Sequence, residues 1–378
     1  MNPAFSPESI ARPLITNCLA SIRRTFRENA PLYLCAFLFC GITLVVTKIY
    51  GLAFEASAGL FFLGMVGEFV FLGLSLLALF EFMGLVRSGF PDRPLAIMAT
   101  RMTGRLIAED RPGNIFHSML ALTPLMVSFA ALKDQIPAIH PFAWDKSFME
   151  WDRVIGMGRQ PWEILQPWLG HAWITVGINF AYDGWFLLMF LVLFSQAFAA
   201  KSSALRLQFL LAFSFAWFIG GNVLAVALSS AGPCFYGLLF PGHSPYAAQI
   251  AYLDAVSRDW PVWSVNVQHT LWNDYIAGHG RLGGISAMPS MHVTIAALMA
   301  IWGWRVSRVT GSALTAFALV IFIGSIHLAW HYAVDGIAGI ALAALFWAMA
   351  GAVVRASERY SVGHGAAVIP TALDSLRV

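Results

Sequence analysis

A chain of 378 residues that is 58% hydrophobic and only 11% charged, with mean hydropathy +0.69, is not an ordinary soluble domain, where about a quarter of residues carry charge. The net charge of +3 is small and the arginines are scattered, which excludes a nucleic-acid-binding strip. The composition is that of an all-α integral membrane protein. The four cysteines, Cys18, Cys35, Cys40 and Cys234, show neither metal-ligand nor disulfide-framework spacing.

In chain order, residues 1–30 read as a cytosolic, surface-lying amphipathic segment with Arg23, Arg24 and Arg27, without the apolar core of a cleaved signal peptide. Apolar runs of bilayer-crossing length (~20 residues) follow at Pro31–Leu52, Ala58–Val86, Ile115–Leu132, Ala172–Ala199, Phe209–Ser230, Ser290–Trp304, Ala313–Trp330 and Ala333–Val354. They predict about eight transmembrane helices. The run from Ser290 is short. Residues 31–113 hold the first two helices and a basic loop, 114–356 a six-helix membrane core, and 357–378 a loose tail. The connections Lys133–His171 and Ala231–Met288 are the only extramembrane parts of any size. The first is expected to lie in the interface, with Trp151-Asp152-Arg153 and Gln160-Pro161-Trp162.

With the N-terminus inside, sixteen of the 23 Lys and Arg residues fall in inner segments. That satisfies the positive-inside rule and puts both termini in the cytosol. On this assignment Pro289-Ser290-Met291-His292, His331-Tyr332-Ala333-Val334-Asp335 and Gly232-Pro233-Cys234 all reach the outer face. A bacterial inner membrane fits better than an endomembrane.

Histidine can move a proton near neutrality and can attack phosphorus. Pro289-Ser290 opens a helix, Pro suiting the first turn and Ser capping free N–H groups. A helix start favours an anion, and His292 lies within it. Gly283-Gly284 just before allows close backbone approach. Taken alone, an interfacial histidine after an ordinary cap is the better reading of His292. Asp335, four residues after His331, shares a helical face with it if the helix has begun at His331, and there it can fix the imidazole tautomer. The plainer alternative is a structural His–Asp pair sealing the helix end. It yields because His292 reaches the same face. Three further acids, Glu68, Glu81 and Asp183, lie in apolar runs. Of these Asp183, beside Tyr182, best suits a polyol head group.

Pro-Ser-Met-His followed about forty residues later by His-Tyr-x-x-Asp resembles the type-2 phosphatidic acid phosphatase superfamily. The form Ala287-Met288-Pro289-Ser290-Met291-His292 with His331-Tyr332 and Asp335-Gly336 is similar to its inositol phosphorylceramide synthase branch, as is Ser230-Ala231-Gly232-Pro233-Cys234-Phe235-Tyr236 to that branch's first motif. The resemblance covers roughly Ile115 to Val354 and leaves the first two spans outside the shared six-helix core. It implies that His331 attacks phosphorus, that Asp335 orients it, and that His292 protonates the leaving alcohol and later deprotonates the acceptor. It implies no cofactor and no metal. Pro233, Tyr236 and Ser290 would help bind substrate.

Phosphatase members carry a Lys and an Arg-Pro in the first motif and Ser-Arg ahead of the final His. Here Gly232 precedes Pro233, and Gly324 and Ser325 stand at the other places. Arg281, His327 and backbone N–H groups near Ser290 are the candidate replacements. A solvated cation and a packed helix histidine are the even-handed alternatives for Arg281 and His327. Loss of both clamps fits a diester. The expected function is therefore transfer of a phospho-alcohol head group, such as phosphoinositol, from a glycerophospholipid to a lipid alcohol such as ceramide. The alternatives are a lipid phosphatase acting on a phosphatidate or isoprenyl pyrophosphate, and a non-enzymatic transporter or scaffold. A metal-dependent CDP-alcohol route lacks the further aspartates it needs. The implied partners are the phospholipid donor, the acceptor and the bilayer, with oligomeric state left open.

Overall fold

A computed structural model describes residues 7–52, 57–242, 244–278 and 284–365, and within them every regular element is helical. Seven helices are long and apolar enough to cross a membrane: Leu14–Tyr50, Leu63–Arg87, Arg111–Lys133, Ala172–Ala197, Ala204–Ala227, Arg308–His327 and Ala333–Tyr360. An eighth apolar helix, Met291–Val306, is shorter. All eight predicted runs are thus helices.

The first helix differs from expectation. α1 runs unbroken from Pro7 to Tyr50, so the N-terminal segment is not a separate surface element. Ser21, Thr25 and Asn29, spaced by four, form a buried polar stripe facing α4 (Arg111–Lys133). Gly113 in α4 leaves room only for hydrogen there, because an added Cβ would collide with Thr25 and the Ser21 carbonyl. Further along, Phe39 stacks on Phe218 with ring centroids 3.9 Å apart. The first span, outside the six-helix core that the resemblance covers, thus packs against that core. α2 (Ser57–Arg87) is mostly exposed; it packs on α4, on the later helix Ala172–Ala197 through Phe69 against Phe190 and Phe194, and on α3 (Pro94–Leu106), where buried Glu81 pairs with Arg105 at 2.7 Å.

After α4 come α5 (Ile136–Ile139), α6 (Asp145–Ile155), α7 (Pro161–Leu169) and α8 (Ala172–Ala197). α9 (Ala204–Phe215) continues through a π-helical stretch, Ala216–Leu224, into α10 (Ala225–Ala227). α11 (Pro233–Leu239), α12 (Ala247–Asp259) and α13 (Trp263–Ile276) fill the second long connection. The chain closes with α14 (Met291–Val306), α15 (Arg308–His327) and α16 (Ala333–Gly365).

α14 is the central helix. It packs on α15, α16, α9 and α8, and is buried on nearly every side. Its 16 residues span about 24 Å, short of a hydrocarbon core of about 30 Å. Protein surrounds it on nearly every side, whereas most of the other spans keep an exposed face. Gly339 admits α16 against its first turn, since a Cβ there would lie 3.0 Å from the Ser290 carbonyl.

The bundle has two distinct ends. At one, Arg206 is buried and donates to Asn29, Ser118 and the Gln196 and Asn114 carbonyls, tying α1, α4, α8 and α9 together. At the other gather the end of α4, the starts of α14 and α16, and the loop before α11.

Candidate active site

Three loops meet at that second end. The first, Ser230–Cys234, is pinned to the segment before α14: Ala287 N–H donates to the Ser230 carbonyl at 2.9 Å and Met288 N–H to its hydroxyl at 3.2 Å. It also touches the segment before α16, where Cys234 N–H donates to the Ala329 carbonyl at 3.0 Å. Gly232 makes this possible. It sits at φ 104°, and a Cβ would lie 2.7 Å from the Trp330 carbonyl, so both conformation and space demand glycine. The second and third loops join directly through Ser290 N–H and the Asp335 carbonyl, at 3.2 Å.

Ser290 is the N-cap of α14, its hydroxyl accepting from Val293 N–H. The helix so opened carries His292 in its first turn, beside the unpaired N–H groups that make a helix start an anion site. The His292 ring stands in an aromatic box on α8. It stacks on Tyr182 at 4.4 Å, tilts against Trp185 at 4.3 Å and meets Phe186 edge-on at 5.6 Å. The Tyr182 hydroxyl and Trp185 Nε1 are buried without a hydrogen-bond partner among the described residues.

The His331 ring lies 6.4 Å from His292, centroid to centroid. Its Nδ1 stands 3.4 Å from Asp335 Oδ2, longer than a good hydrogen bond. Asp335 Oδ2 also accepts Tyr332 N–H at 3.0 Å, so the carboxylate caps α16 and faces the imidazole at once. Burial pushes the His331 imidazole down to about 3, against the opposing Ala287 backbone, with the Lys133 charge adding to the lowering. A neutral ring with Nδ1 turned to a carboxylate favours the tautomer whose lone pair is on Nε2.

The other sequence candidates are distributed as follows. Tyr182 and Ser290 lie against the histidines. Asp183, next to Tyr182, points to a different seam: it accepts from Asn179 at 2.8 Å, and Asn179 in turn accepts Ser264 N–H of α13. His327 Nε2 is bonded to Thr175 at 2.9 Å, and Thr175 to Tyr252 at 2.7 Å, forming a polar knot between α15, α8 and α12. Pro233 opens α11 within the first loop. Tyr236 packs on Tyr246 at 5.6 Å and belongs to the apolar cluster behind Tyr332. Arg281 and Gly283 lie outside the described residues. The places of the family's Ser-Arg pair are closed: a Cβ at Gly324 would come 2.9 Å from Ile178, and Ser325, at the place of the arginine, is fully buried, its carbonyl accepting Trp330 and His331 N–H.

Two residues escaped sequence reasoning. Asp145 and Asp152 lie on the buried face of α6 with Phe148 between them. Asp145 accepts Ala231 N–H, Gly232 N–H and the Tyr332 hydroxyl, the last at 2.8 Å, and so holds the first and third loops together. Asp152 accepts Ala333 N–H at 2.7 Å and Val334 N–H at 3.0 Å, capping α16 from outside the helix. Burial raises both carboxyls, Asp152 to about 7, although the backbone donors pull the other way. The available signal was spacing: acids at i and i+7 on the same stripe as an apolar residue. Trp151, Val154 and Met157, by contrast, are exposed, as an interfacial helix requires.

Among the described residues no cluster of His, Cys, Asp and Glu has metal-site geometry. No curated protein and no solved structure matches the chain. A family model described as PAP2 superfamily matches residues 146–349, just over half of the chain, and covers both histidines, Asp335 and the first loop. With the motifs already joined in space, that match shows that this chain belongs to the PAP2 superfamily, whose members act on phosphate esters.

Proposed function

We propose that the protein moves a phospho-alcohol head group from a glycerophospholipid to a lipid alcohol such as ceramide, by way of a phosphohistidine. His331 Nε2 attacks phosphorus and a P–N bond forms as the P–O bond to the diacylglycerol breaks. His292, taking up a proton together with the anionic phosphodiester, gives that proton to the departing alkoxide. In the second half His292 takes the acceptor's hydroxyl proton, the acceptor oxygen attacks phosphorus, and the P–N bond breaks. The proton and the electron pairs return to their starting places.

The observation that carries this reading is the setting of the pair. His292 is walled by Tyr182, Trp185 and Phe186, and both places of the missing guanidinium clamps are filled by packing. Such a site suits a singly charged diester better than a dianionic monoester, and an apolar wall favours a lipid alcohol over water as acceptor. A periplasmic or lumenal active-site face follows from the positive-inside count.

The test is direct. Purified full-length protein in EDTA is given phosphatidylinositol labelled in the head group, with and without ceramide, alongside phosphatidate. Label should pass to ceramide only when ceramide is present, unaffected by the chelator. His331→Ala should reduce transfer by at least about a thousandfold. Phosphate release from phosphatidate without head-group transfer would instead identify a phosphatase.

A further inference from the structure

A phosphodiester in this site needs a positive charge for its non-bridging oxygens, and the family-matched region places none beside the histidines among the described residues. The end of α4 supplies one. Phe129, one turn before Lys133 on the same face of α4, has its ring 4.7 Å from Trp217. It also abuts Gly221, where a Cβ would lie 2.8 Å from Phe129 and 3.6 Å from the Met291 sulfur. That face of α4 therefore runs toward the start of α14. From the other side Gly284, at φ 68°, backs onto α4 so closely that a Cβ would lie 2.7 Å from the Lys133 carbonyl. The segment leading into Pro289-Ser290 is thus seated on Lys133 itself. Both imidazoles lie within electrostatic reach of its ammonium.

We propose that the Lys133 ammonium binds the non-bridging phosphate oxygens between His292 and His331, in place of the guanidinium clamps this chain lacks. This rests on the reading that a phosphate ester occupies the site. Lys133 stands outside residues 146–349, so the cation comes from a helix that the family match does not reach. A single ammonium is a compact point charge and matches the single charge of a diester. Donors at the start of α14 complete the cradle.

The test separates anion binding from turnover. Binding of tungstate, a phosphate-shaped oxyanion, is measured by calorimetry on the detergent-solubilised full chain. The variants are Lys133→Met, Lys133→Arg and, at the opposite end of the bundle, Lys201→Met. Lys133→Met should weaken tungstate binding by about 10- to 100-fold, Lys133→Arg should recover part of it, and Lys201→Met should match the wild type. Elution volume and melting midpoint report whether Lys133→Met remains folded. In the head-group assay the same variant should raise KM as well as lower kcat. Wild-type tungstate affinity in folded Lys133→Met overturns the proposal, as does a wild type that binds no tungstate. Because the binding arm needs no turnover, absent head-group transfer would sink the preceding reading while leaving this one measurable.

Discussion

At the scale of single residues, small side chains decide whether the three loops can meet. Gly232, Gly284 and Gly339 each sit where a Cβ would press on backbone of a neighbouring loop or helix. Gly336 follows Asp335 directly, and a Cβ there would lie 2.5 Å from two ring carbons of Phe322. Gly336→Ala should therefore overpack the α15–α16 seam and cost about 1–3 kcal/mol. A lowered melting midpoint, with head-group transfer falling because Asp335 shifts, is the expected result. A midpoint equal to the wild type's would show that Phe322 yields freely. The same crowding explains Gly324, where Ile178 occupies the space that the family's serine side chain would need.

At the scale of elements, α6 is the part that ties the site to the interface. One face exposes Trp151, Val154 and Ile155, and the other holds the first and third loops through Asp145 and Asp152. Asp152 also gives α6 a pH signature. Its carboxyl ordinarily titrates at 3.8 and is raised to about 7 in the fold, chiefly by burial. Between those values the folded chain keeps a proton that the unfolded chain has lost, so stability falls as pH rises from about 4 to about 7 and levels off above. Asp152→Asn should flatten that decline in the melting midpoint. At pH 8 it should also be less stable than the wild type, because the amide offers one acceptor to two N–H groups. An unchanged slope of midpoint against pH would refute the assignment.

At the scale of the whole molecule, the bundle keeps its chemistry at one end and its buried arginine at the other. The proposed topology, resting on the positive-inside count, has the histidine end on the non-cytosolic face. Single cysteines introduced into a cysteine-free chain at Trp260 and Lys201, both exposed and at opposite ends, test this. In intact cells a membrane-impermeant maleimide should label Trp260→Cys and spare Lys201→Cys. The reverse pattern inverts the topology and moves the active site to the cytosol.

Much of the protein was legible in its residues. Apolar runs placed all eight apolar helices, because hydrophobic length is a local property and the bilayer demands it. Pro289-Ser290 announced the cap of α14, since capping is also local. The helical face expected for His331 and Asp335 does not form, because α16 opens at Ala333 and leaves His331 in the turn before it. What the tertiary structure alone decided is non-local. It set Tyr182 and Trp185 around His292, carried α1 into the core by a polar stripe, and turned His327 to Thr175. It also brought Asp145, Asp152 and Lys133 to loops up to some two hundred residues away in sequence. No local pattern encodes such partners. Whether a buried acid or lysine caps, pairs or stands ready for a ligand depends on which distant backbone arrives beside it.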